Sequence, residues 1–231
     1  MSVPGREDVE IPGDAGVLHG LFELPDGASP AGGVVVAHPH PLHGGTMVQP
    51  LVHRIARACR AEGLATLRFN FRGVGRSAGD YSGVEEFRDV LSAVSWLRER
   101  LEGRPVTLCG YSFGAAMSAL AAVEGAQIGR LALVAFPIHW EEMGPRFFAR
   151  LGEVDVPVLA LCGELDEIAP PAEVEAFLRS VGVEPHMVVI PRADHFFVGL
   201  TDQAAGQVAR FATGADGPAA LRDPGEVPHA V

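Results

Sequence analysis

Between Val106 and Ala122 an apolar, strand-type run passes through Gly110-Tyr111-Ser112-Phe113-Gly114 into a run of small, helix-forming residues, with no loop between them. A strand can turn this sharply into a helix only where side chains are absent, so the glycines at 110 and 114 are required by the close approach. Such a turn lifts the Ser112 hydroxyl above the end of a sheet and sets the following amide at a helix N-terminus. Gly75-Arg76-Ser77-Ala78-Gly79 repeats the spacing, but it leads into Asp80-Tyr81-Ser82-Gly83, where no helix can start before Ser82. Ser112 is therefore the expected nucleophile, and Ser77 reads as a loop hydroxyl.

The rest of the chain supplies a sheet for this turn. Val34 to Ala37 is a β-branched run with no polar break, the mark of a strand covered on both faces. Leu64 to Phe71, Leu131 to Phe136, Val156 to Cys162 and His186 to Ile190 read as further strands. Helical period places helices near 47–62, after Ser82, over 171–181 and over 201–213. Ser82-Gly83-Val84-Glu85 has the form of a capping box. Val9 to Ile11 and Val17 to Leu24, split by Pro12-Gly13-Asp14, read as an antiparallel start. Alternation from residue 34 onward predicts an α/β fold, a mostly parallel, doubly wound sheet of about eight strands with helices on both faces. The expected organisation is a single domain over 1–214 and a disordered tail over 215–231.

Composition narrows the partners. The net charge of −11 argues against nucleic acid or an anionic membrane as the target. No apolar run approaches the length of about 18 residues that spans a bilayer, and Met1 to Asp8 carries no signal core, so a cytoplasmic setting is expected. Cys59, Cys109 and Cys162 each lie in an apolar stretch and read as reduced core residues. The oligomeric state is left open, a homodimer included.

A serine hydroxyl needs a base and a group to orient that base. His195 lies in the loop after the 186–190 strand, at the edge of the sheet where Ser112 emerges; His186 begins that strand at the far edge. The acid is expected after a strand and between serine and histidine in the chain. Gly163-Glu164-Leu165-Asp166-Glu167 fits, with Asp166 first and Glu164 second. Asp194 reads as a turn residue. The oxyanion donors are expected to be the backbone N–H of Phe113 and, because Pro39 and Pro41 have none, that of His40, with Leu42 behind it.

With these residues in place the chain resembles the α/β-hydrolase superfamily over residues 8–213. The resemblance rests on the order Ser112, Asp166, His195, on the loop His38 to Gly45, and on Phe69-Asn70-Phe71-Arg72-Gly73-x-Gly75-x-Ser77, a structural loop in that superfamily. His38-Pro39-His40-Pro41-x-x-Gly44-Gly45-Thr46-Met47 is similar to a bacterial group of small, lidless serine hydrolases and esterases related to dienelactone hydrolases, which themselves carry cysteine at the elbow. The resemblance implies hydrolysis of a small-molecule ester or thioester through an acyl-enzyme, without a cofactor or metal. Two other readings remain. One is an acyltransferase, or another non-hydrolytic tailoring or ligand-binding protein, on the same fold; the other is a metallohydrolase using His38, His40 and His43. The connection 137–155 is too short for a lid domain. Its Trp140, Met143, Phe147 and Phe148 are candidate pocket residues, forming either a short helix packed on the sheet or an apolar flap.

Overall fold

The computed structural model describes residues 5–27, 29–139 and 143–215. The tail expected from residue 215 therefore falls, from residue 216 onward, outside the described residues. One sheet of eight strands runs in the order β1-β2-β4-β3-β5-β6-β7-β8. β1 (Arg6–Gly13) and β2 (Gly16–Glu23) form the antiparallel start, and β2 also pairs antiparallel with β4 (Ala65–Phe69). From β4 the sheet is parallel through β3 (Gly33–Ala37), β5 (Val106–Tyr111), β6 (Arg130–Val134), β7 (Val158–Gly163) and β8 (His186–Ile190). Every residue of β3, β4, β5 and β7 is buried; β3 and β7 therefore read as unbroken apolar runs, whereas β4 buries Thr66 and Arg68 as well, the arginine paired with the buried Glu23 at 2.7 Å.

Connection direction decides where helices lie. From β3 the chain crosses through α1 (Pro50–Ala61) back to β4. From β4 it crosses the other way through α2 (Phe87–Arg100) to β5, then on through α3 (Phe113–Val123) to β6. Right-handed crossovers put α1 on one face and α2 and α3 on the other. α4 (Pro171–Ser180) joins β7 to β8, and α5 (Thr201–Ala212) packs against α1. The connections leaving β3 and β5 thus diverge, and a crevice opens between the carboxyl ends of these two adjacent strands. Open α/β sheets bind their ligands at such a switch point.

Local chemistry trims several elements. α1 starts at Pro50 rather than near 47, because proline suits the first helical position and the Gln49 side chain accepts from the Leu51 amide at 3.3 Å. The capping box is displaced by one residue. Ser82 Oγ accepts from the Glu85 amide at 2.8 Å, but the return bond to the Ser82 amide, at 2.6 Å, comes from Glu86. Glu86 is buried, whereas Glu85 turns outward to Arg88. Arg72 donates to both carboxylate oxygens of the buried Asp89 on α2 and pins the loop after β4. Ser77 belongs to that loop: it donates to the Asn70 carbonyl at 2.7 Å and accepts from the His19 amide at 2.9 Å.

The β6–β7 connection corrects one expectation. Its described part carries two short 3-10 turns, Pro145–Phe148 and Leu151–Glu153. Met143 and Phe148 are buried in the core, and the Phe148 ring packs edge-on against Phe136 at 4.9 Å. Phe147 is partly buried against the same cluster. None of the three is among the residues that line the crevice: Met143 and Phe148 are buried in the core, Phe148 between Phe136 and Phe177, and Phe147 packs on that core from outside. Trp140 lies outside the described residues. No helix among the described residues is long and apolar enough to cross a membrane.

Candidate active site

Ser112 follows β5 directly and caps α3 with φ 54° and ψ −117°, a backbone conformation that costs a non-glycine residue about 1–3 kcal/mol. Its surroundings hold it there. The Ser112 amide donates to the Val134 carbonyl at 2.8 Å, and its carbonyl accepts from the amides of Ala115 and Ala116. A Cβ on Gly110 would lie 2.1 Å from the Gly114 carbonyl oxygen, and one on Gly114 would lie 2.4 Å from that of Ala37. The second approach presses the start of α3 against the end of β3, so the segments carrying the Phe113 and His40 amides are neighbours.

The structure brings the three expected side chains together. Ser112 Oγ is 2.9 Å from His195 Nε2, and His195 Nδ1 is 2.9 and 3.0 Å from the two carboxylate oxygens of Asp166. All three are buried, at 7%, 7% and 3% exposure, so little water competes for these contacts. An ionised carboxylate only accepts, which places the ring proton on Nδ1 and leaves the Nε2 lone pair facing the serine. Asp166 is itself fixed, since its Oδ1 accepts from the amides of Ile168 at 2.9 Å and Ala169 at 2.8 Å.

Contacts from two other strands hold the histidine loop. The buried Tyr111 hydroxyl donates to the His195 carbonyl at 3.0 Å, and Glu164 accepts from the Arg192 amide at 2.7 Å. Glu164, the second choice for the acid, is thus a brace between loops. Asp194 Oδ1 accepts from the Phe196 amide at 3.0 Å, the work of a turn residue.

The histidines of the loop after β3 divide by role. Nδ1 of His38 donates to the Pro39 carbonyl at 2.6 Å and Nε2 accepts from the Phe71 amide at 3.1 Å. Nδ1 of His40 accepts from the Leu42 amide at 3.1 Å, and its Nε2 is 3.0 Å from the Tyr81 hydroxyl. Both nitrogens of each ring are engaged, and among the described residues no group of three metal-ligating side chains converges. The metallohydrolase reading fails on this geometry. The Leu42 amide is committed inside the loop, which removes it as a reserve oxyanion donor.

His38 ties the loop after β3 to the end of β4. Burial pulls its imidazole down from 6.5 to about 4, against the opposing pull of the Pro39 carbonyl. The unfolded chain takes up a proton near 6.5 while the folded chain resists it until about 4. The stability this difference represents is therefore intact above 6.5 and is lost as the pH falls toward 4, by about 3 kcal/mol in total. Urea unfolding across that window is expected to show a shallower loss in His38→Asn than in the unaltered protein; parallel profiles would refute this role.

A cleft of about 660 Å³ opens over Ser112 and His195. The loop after β3 contributes His40, Leu42 and His43, and the elbow contributes Tyr111. The loops after β7 and β8 contribute Ile168 and Phe196, and Gln49 and His139 also line it. No aspartate, glutamate or arginine is among the described residues that line it. Sequence reasoning missed Tyr111, Gln49, His139, Ile168 and Phe196. Only Phe196, beside His195, carried a local signal.

A parallel sheet with a serine on a strained strand-to-helix turn, and a carboxylate and a histidine after later strands, defines the α/β-hydrolase class. Residues 30–151 match the family model described as Serine aminopeptidase, S33, a span that runs from just before β3 to the second 3-10 turn. The structure is similar to that of an α/β serine hydrolase homologue from Coxiella burnetii, with 35% identity, coverage of 91% of this chain and 99% of that one, and a TM-score of 0.81. It is also similar to an α/β serine hydrolase without a lid from Xanthomonas campestris, with 30% identity, coverage of 95% and 98%, and a TM-score of 0.80. An uncharacterised protein of Rickettsia prowazekii is 28% identical over 176 residues, 73% of each chain. The chain belongs to the α/β-hydrolase superfamily of serine hydrolases, alongside relatives without a lid.

Proposed function

We propose that the protein hydrolyses a carboxylic ester or thioester with Ser112 as nucleophile, His195 as general base and Asp166 as the group that orients it. The reading is carried by the unbroken line from Ser112 Oγ through His195 to Asp166, at 2.9 Å for each link. His195 Nε2 takes the hydroxyl proton as Oγ bonds to the carbonyl carbon, and the amides of Phe113 and His40 receive the oxyanion. The imidazolium then returns the proton to the leaving alkoxide or thiolate as that bond breaks. Water, deprotonated by the same nitrogen, releases the acid and restores Ser112.

Ester chemistry is favoured over the peptide chemistry in the family's description by what the cleft lacks. An aminopeptidase must recognise a free ammonium group, which calls for a carboxylate, and none of the described residues lining this cleft carries one. Three unpaired, buried cysteines fit a reducing cytoplasm as the setting. A fluorophosphonate probe is expected to label Ser112, and p-nitrophenyl esters to exceed aminoacyl p-nitroanilides by roughly 100-fold in kcat/KM. Preference for the anilides would overturn the ester reading. Product that appears only when an alcohol or amine acceptor is added would make the protein an acyltransferase.

A further inference from the structure

Eight large apolar side chains stand exposed among the described residues, and six of them lie on three loops at one edge of the sheet. The loop after β3 carries Leu42 (69% exposed) and continues to Val48 (63%). The loop after β7 carries Leu165 (60%) and Ile168 (50%), and the loop after β8 carries Phe196 (59%) and Val198 (75%). Leu42, Ile168 and Phe196 line the cleft over Ser112; the other three lie two to six residues away on the same loops. Exposed apolar groups scattered singly mean nothing, but a set gathered around one opening marks a binding surface.

We infer that this rim binds an extended, uncharged aliphatic chain of the substrate that runs outward from the cleft, making the substrate class medium- to long-chain esters or thioesters. The inference rests on the hydrolase reading above. The rim is continuous with the cleft through residues that belong to both, so a chain leaving the reacting carbonyl meets apolar side chains before it meets water. A second copy of this chain seated on the same surface would close the opening through which substrate must enter. An anionic lipid surface is opposed by the net charge of −11. Among the described residues, neither the cleft lining nor the six rim positions include an arginine to hold a charged chain end.

The test is the dependence of kcat/KM on acyl length across p-nitrophenyl acetate, butyrate, hexanoate, octanoate and decanoate, each below its micelle concentration. The expected rise is about two- to fourfold per methylene as far as octanoate, the gain for a methylene that leaves water. In the triple variant Val48→Ser, Leu165→Ser, Val198→Ser, which alters only exposed positions, the octanoate-to-acetate ratio is expected to fall by about tenfold or more. A flat profile in the unaltered protein, or an unchanged ratio in the variant, overturns the inference. A dimer in sedimentation that the triple variant dissociates would reassign the rim to self-association. In a separate series that carries decanoate through its micelle concentration, a rate that jumps only at that point would reassign the rim to a lipid surface. Fluorophosphonate labelling separates the levels: labelled Ser112 with a flat profile defeats only the rim, whereas absent labelling defeats the hydrolase reading itself.

Discussion

Ser112→Ala is expected to lower kcat/KM for any ester the protein accepts by about 10⁴- to 10⁶-fold, while the fold stays as it is. The loss is large because the serine, the histidine and the carboxylate act as one unit. Removing the nucleophile leaves only binding and the oxyanion donors to accelerate attack by water. The fold should be spared because the one side-chain bond of Ser112 goes to His195, while the backbone bonds to Val134, Ala115 and Ala116 do not involve Oγ. Steady-state kinetics with one p-nitrophenyl ester, alongside thermal unfolding, checks both halves. The control is Ser77→Ala, which cuts the link from Asn70 to His19 and should cost stability, about 1–3 kcal/mol, rather than rate. Full activity in Ser112→Ala with loss in Ser77→Ala would reverse the assignment of the two G-x-S-x-G serines.

Asp166→Asn carries the second largest expected effect, a fall in kcat of about 10⁴-fold. Its cause lies in which atom can face which partner. The amides of Ile168 and Ala169 both donate to Oδ1, so an asparagine must leave its carbonyl oxygen there and turn its NH₂ group toward His195 Nδ1. A donor at that position selects the tautomer with the proton on Nε2. The imidazole then presents a hydrogen, not a lone pair, to Ser112 Oγ and cannot take the proton. Unchanged substrate affinity with collapsed kcat is the expected kinetic signature. Near-normal turnover would mean that Glu164, on the same loop, can leave the Arg192 amide and serve as the acid.

The frame of this molecule could be read from its sequence because the relevant physics is local. β-branched runs such as Val34 to Ala37 and the small residues after Ser112 declare buried strands and a packed helix wherever they fall in a chain. Ser112, Asp166 and His195 could be chosen because each follows a strand, and strand ends share one edge of a parallel sheet. Environment proved harder. Phe148 announces that something apolar covers it, but not whether it is substrate or protein, and only the positions of Phe136 and Phe177 decide for protein. The hydroxyl of Tyr111 finds a carbonyl 84 residues away, a pairing that no local pattern encodes. The displaced capping box shows the same limit at short range, where Glu85 and Glu86 are chemically alike and differ in which one the backbone turns inward.

Ser112 follows the fifth strand in chain order and Asp166 the seventh, while His195 arrives only after β8, the outermost strand at that side of the sheet. A ribosome delivers the chain from its N-terminus, so the elbow and the loop after β3 can assemble before His195 is made. Parallel pairing of β8 onto β7 needs a full crossover and cannot form early as a hairpin can. A nascent or truncated chain that lacks this edge holds a serine with nothing to deprotonate it. On the proposed mechanism, turnover therefore begins only when the final strand has docked, and the first turnover reports that the sheet is complete.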